Sequence, residues 1–183
     1  MVALTFANSA ISFAADNAGD FVVKGVGVTN CAKFVKTAEQ GGRQLSQYLG
    51  FVNGYTSAYN EFSEDTFDVW RWQTTDTILL LLLQHCQKHP ESSFGAALAT
   101  LTRYLGESRI GANVPVIRVG SPEAGFYVYE PVYSEILAAL EKEGYEVSDP
   151  YAALMSYKKD QNVADTTNLH QVLLLRLLSN RNP

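Results

Sequence analysis

Cysteine, histidine, tryptophan and methionine are all scarce in this chain: two, three, two and two of 183 residues. Two cysteines exclude a thiolate cluster for zinc and a disulfide-dense scaffold, and leave room for a single bridge. Basic charge is also short. The 14 Lys and Arg are outnumbered by 19 Asp and Glu, a formal net charge of −5. That balance argues against nucleic acid as a partner, because phosphate contacts require a basic face. No stretch approaches the ~18 apolar residues of a membrane span; the longest run, Ile78 to Leu83, suits a core helix. Catalytic signatures are missing too: there is no Gly-x-Ser-x-Gly elbow, no phosphate loop and no His-Glu-x-x-His. No cofactor is therefore expected. Neither an internal repeat nor a low-complexity linker is present.

Charge is absent altogether from Met1 to Ala14, and the first basic residue is Lys24. Ser12 and Ala14 put small side chains at the two positions a signal peptidase reads. The expectation is that residues 1–15 are a signal-peptide-like remnant and that the protein is bacterial, exported to the periplasm or secreted. A frayed, alanine-rich terminus is the alternative.

What is abundant is apolar material at helical spacing. Of the chain, 46% is hydrophobic and 18% charged, enough for one core, or one core and a satellite, without a metal. Phe21 to Val28 reads as a short strand or an extended lead-in. Asn30 caps a first helix carrying Cys31, Phe34, Val35 and Ala38, and Gly41-Gly42 ends it. A second helix repeats Leu45, Tyr48, Leu49, Val52, Tyr55 and Tyr59. Gly50, Gly54 and Ala58, four apart on it, form a small-residue ridge expected to let another helix approach, with a homodimer interface as the alternative. Thr74 or Thr75 caps a third helix with Ile78, Leu79, Leu82, Leu83 and Cys86 on its apolar face, and Asp76 suits its first turn. Pro90 is placed in the first turn of a fourth helix, with Phe94, Ala97, Leu98, Leu101, Tyr104 and Leu105, ending at Gly106.

Beyond Gly106 the composition turns β-rich. Val114–Val119 and Phe126–Tyr129 read as strands around Gly120-Ser121-Pro122. Pro131 opens a helix that Gly144 closes, Tyr145–Val147 reads as a third strand, and two helices follow, at about 150–158 and 165–178. The expected architecture is mainly α, α+β overall: a disulfide-stapled four-helix core over 16–106 with a small βαβ-like extension, 107–183, packed on it.

A bridge between Cys31 and Cys86 is favoured over two buried thiols by the export-like start. Their spacing and lack of a histidine at a useful offset exclude zinc. His85 and His89 lie four apart but lack a third ligand, so they are read as a solvated or capping pair with no metal; His170 is read as a surface residue. The acidic segment with Glu61, Glu64, Asp65, Asp68, Trp70 and Trp72 is the candidate binding surface. It has three readings: a solvated loop anchored by its tryptophans, a receptor for a basic patch on a protein, or a glycan site with stacking indoles and a carboxylate pair.

The run Gln47-Tyr48-Leu49-Gly50-Phe51-Val52-Asn53-Gly54-Tyr55-Thr56-Ser57-Ala58-Tyr59-Asn60 resembles a helix of small exported bacterial helical proteins. His85-Cys86-Gln87-Lys88-His89-Pro90, followed by Phe94, Ala97 and Leu101, is similar to their Cys-x-x-x-Pro turn. The families in question are the HdeA-like acid-stress chaperones and the Rap/Tai-type immunity proteins of type VI secretion. The resemblance covers about 31–105 and implies a periplasmic, helical, disulfide-bonded protein that acts by binding other proteins and is not an enzyme. The segment from Val114 onward has no counterpart in either family.

Overall fold

The computed structural model describes Asp16 and residues 20–179. The expected signal remnant, 1–15, lies outside the described residues. Among these residues the chain forms a 3-10 turn, Gly25–Val28, seven α-helices and one two-stranded sheet. The helices are α1 (Cys31–Gln40), α2 (Arg43–Phe62), α3 (Thr75–Lys88), α4 (Phe94–Gly106), α5 (Glu130–Lys142), α6 (Pro150–Asp160) and α7 (Leu169–Ser179); the strands are β1 (Val116–Val119) and β2 (Phe126–Tyr129). The protein is mainly helical with a small antiparallel sheet and one disulfide, as expected.

Local chemistry explains most boundaries. Asn30, Thr74, Ser93 and Asp149 each accept a backbone N–H of the following turn, which satisfies donors that a helix start leaves orphaned. Gly41 and Gly42 separate α1 from α2 at φ +64° and +75°, in a region closed to side chains with a Cβ. Pro90 does not open the fourth helix. The segment after His89 turns back on the start of α1, with Pro90 O and Ser92 O accepting Ala32 N and Cys31 N at 2.9 and 2.8 Å, and Ser93 then caps α4.

Two hydrophobic cores result. The first joins α1 to α4 around Phe34, Tyr48 and Phe94, whose rings lie 4.6–4.9 Å apart, with Val52, Ile78, Leu82 and Leu98 fully buried beside them. Cys31 and Cys86, both wholly buried, are bonded across α1 and α3 with their Cα atoms 4.7 Å apart. The lead-in is a 3-10 turn, not a strand. It lies against α2 and α4, and a Cβ on Gly27 would stand 2.3 Å from the Phe51 ring. The second core gathers Ile110, the inner faces of β1 and β2, and α5 to α7 around Ile136, Leu140, Leu154, Leu173 and Leu174.

Four sequence expectations change here. The sheet is a hairpin pairing Val116 with Tyr129 through Val119 with Phe126, not a βαβ unit. Tyr145–Val147 is irregular chain that pays no ladder bonds but packs Tyr145 and Val147 on the second core. The last helix starts at Leu169, four residues later than its pattern suggests. The ridge of Gly50, Gly54 and Ala58 faces outward: all three are exposed, and a Cβ on Gly50 or Gly54 would meet nothing within 4 Å. The reason is angular. The buried face of α2 is Tyr48, Val52 and Thr56, and a residue two positions on is turned ~200° away from it.

Candidate functional site

The acidic segment lies where the two cores meet. The end of α2 runs into a tight turn over 63–67. Ser63 N closes the helix on Tyr59 O at 3.0 Å, and Asp65 takes the left-handed conformation, φ 50°, which Asp tolerates better than most residues. Arg109 fastens the turn from outside: its Nε donates to Asp65 O at 2.9 Å and its Nη1 to Gly106 O at 3.1 Å. Phe67 N and Asp68 N both donate to Ile110 O, at 2.7 and 3.0 Å, and Ile110 N returns a bond to Asp68 O.

Asp68 points inward. One carboxylate oxygen accepts the Tyr129 hydroxyl at 2.9 Å; the other accepts Trp70 N at 3.0 Å and Asn60 Nδ2 at 3.4 Å. Burial first, then this hydrogen bond and the charge of Asp68, push the Tyr129 phenol up to about 12. The phenol therefore stays protonated and donating throughout the physiological range. Asp68 is a tie between the first core and the β-hairpin, not an exposed ligand for a partner.

The tryptophans are anchors as well. Trp70 is only 6% exposed and belongs to the first core, whereas the half-buried Trp72 packs on the second. Both indoles are thus committed to the cores. Glu61, Glu64 and Asp65 remain on the outside. With them stand two residues the sequence reading passed over, Phe62 at 73% and Phe67 at 41% exposed. Phe67 rests edge-on against Tyr129, ring centroids 6.1 Å apart. A signal for Phe62 was present: it continues the apolar stripe Tyr48, Val52, Tyr55, Tyr59 by one more step of three, past the point where the core ends.

Beside the turn a cleft of about 300 Å³ is lined by Arg71, Arg109, Pro131 and Glu135. Arg71 and Glu135 pair across the junction. A second polar joint lies further along. The Gln171 amide oxygen on α7 accepts Thr74 N at 3.0 Å and the Thr77 hydroxyl at 2.7 Å, while its nitrogen donates to Trp72 O at 2.8 Å. One side chain of the second core thus completes the N-terminal cap of α3 in the first.

The histidines divide. His170 is not a surface residue: half-buried, it stacks on Phe126 at 4.4 Å with Tyr151 at its edge, and burial lowers its pKa. His85 is half-buried and His89 exposed, their rings 4.6 Å apart at the end of α3. Among the described residues no three His, Cys, Asp or Glu side chains converge as metal ligands, and no helix is long and apolar enough to cross a membrane. The exposed turn thus combines aromatic surface with negative charge, an arrangement suited to binding. Comparison of this chain with protein-family models, curated proteins and solved structures finds no match.

Proposed function

We propose that this is a non-enzymatic, exported bacterial protein that binds another protein through the exposed end of α2, with Glu61 and Phe62, and the turn after it, with Glu64, Asp65 and Phe67. The observation that carries this reading is the exposure of two phenylalanines within six residues, 73% and 41%, among three exposed carboxylates. Aromatic anchors dominate binding energies, and charges around them steer and select the partner. The disulfide supports residence outside the reducing cytoplasm, in the periplasm or the medium. Chaperone, inhibitor and immunity-type roles all fit, and the likeness to HdeA-like and Rap/Tai-type proteins over 31–105 supports that group of roles.

The test is capture from a periplasmic extract by the wild-type protein and by Phe62→Ser/Phe67→Ser, with the partner identified by mass spectrometry. A partner retained by the wild type and lost with the variant supports the reading; identical captures from both sink it. The chaperone version is separable. Acidification neutralises the 19 carboxylates and protonates the three His while the 14 Lys and Arg stay charged, so self-repulsion loosens the fold and exposes apolar faces. Protection of a client from aggregation at pH 2–3 is its expected sign, and absence of protection at every pH removes it.

A further inference from the structure

The geometry points to a two-point binding site for a late divalent transition-metal ion, Cu²⁺ most tightly, at His85 and His89. The site is independent of the proposed binding turn. His85 stands in the last turn of α3 and His89 is its C-cap, one turn further on, with His89 N bonded to His85 O at 3.1 Å. Residues four apart share a helix face, and here the two ring centroids are 4.6 Å apart. An ion ~2.0 Å from a nitrogen of each imidazole sits ~3.2 Å from each centroid, which puts the centroids of two cis imidazoles ~4.5 Å apart at a right angle. The side chains are thus already spaced for the cis positions of a square-planar or octahedral ion.

Electrostatics and competing ligands agree with this. The C-terminal end of a helix carries partial negative charge from its unsatisfied carbonyls, which favours a cation there. The residue between the pair that would otherwise dominate metal choice, Cys86, is committed to the disulfide and offers no thiolate. Imidazole alone suits Cu²⁺, Ni²⁺ and Zn²⁺, and the intrinsic order places Cu²⁺ ahead of the other two. Because no third His, Cys, Asp or Glu converges with these among the described residues, water completes the coordination shell. The site is therefore open and exchangeable, not part of the folding framework.

The full chain, freed of metal with a chelator and oxidised at Cys31–Cys86, is titrated with Cu²⁺ alone against glycine as competitor. Calorimetry and electron paramagnetic resonance are read together for the wild type, His85→Asn, His89→Asn, the double variant and His170→Asn. The expected result is one ion per chain with nitrogen hyperfine structure. Affinity falls at least ~10-fold in each single variant of the pair, is unchanged in His170→Asn, and is weaker for Ni²⁺ and Zn²⁺. His89 is exposed, so its substitution leaves the core intact if packing changes at His85 disturb the fold. Wild-type affinity retained by the double variant, with copper held by the terminal amine or elsewhere, overturns the assignment. So does a wild-type affinity no greater than that of His89→Asn.

Discussion

Removing the bond between Cys31 and Cys86 should destabilise the first core by about 4 kcal/mol before any packing loss. The bridge spans a sequence separation of 55 residues. In the chain-entropy treatment, closing a loop of that length removes about 14 cal/mol/K from the unfolded ensemble, or about 4 kcal/mol at 25 °C. Both sulfurs are wholly buried, so Cys31→Ala/Cys86→Ala adds a small cavity cost, on the order of 1 kcal/mol per site. Set against a domain stability of ~5–15 kcal/mol, the double variant is close to the margin. For a chain of this size each kcal/mol moves Tm by about 2–4 °C, so a fall of roughly 10–20 °C is expected. Urea denaturation of the wild type and the double variant gives the difference directly. Fluorescence assigns it to a core: Trp72→Phe leaves Trp70 reporting on the first, and Trp70→Phe leaves Trp72 on the second. A loss under ~1 kcal/mol would refute the reasoning, since it would mean that the reduced, unfolded chain already holds the two segments together.

Gln171→Ala strips two bonds from the α3 cap and one from Trp72 O, and should cost about 1–3 kcal/mol; a urea midpoint equal to wild type would show the joint to be ornamental. Gly50→Ala and Gly54→Ala, exposed in mid-helix with empty space where the Cβ goes, should each stabilise by about 0.5–1 kcal/mol. A fall in Tm would return that ridge to a packing role. His170 makes the second core sensitive to mild acid. Burial holds its folded pKa below the ordinary 6.5. Its neutral form therefore contributes fully above that value, and stability is lost as pH falls from 6.5 toward the lowered folded pKa. His170→Phe, which keeps an aromatic ring against Phe126, should flatten the change in urea midpoint between pH 7.5 and 5.5; an unchanged slope would exclude His170 as the sensor.

Much of the first core was readable because its rules are local. Asn30 and Thr74 announce helix starts, Gly41-Gly42 a break, and the stripes that carry Cys31 and Cys86 the faces that meet. What escaped depends on partners distant in the chain. Tyr145–Val147 has strand composition but no strand to pair with, so its side chains go to the core and the Tyr145 hydroxyl donates to Asp160 at 2.8 Å. Pro90 had the right chemistry for a first helical turn, but Ser93 caps the helix after the chain has bent back to α1. In the candidate site, composition marked the segment correctly and could not say which side chains turn inward. Asp68 goes to Tyr129, 61 residues away, and Trp70 to the first core. The ridge on α2 is different: its outward direction was implicit in the two-residue offset from Tyr48, Val52 and Thr56.

The placement of Gln171 carries a consequence for biosynthesis. Its partner Thr74 lies 97 residues earlier in the chain, so the start of α3 lacks its full set of bonds until α7 has been made and has docked. Trimming the chain before residue 171 would leave that set permanently incomplete, and damage to α7 would register as fraying at the start of α3.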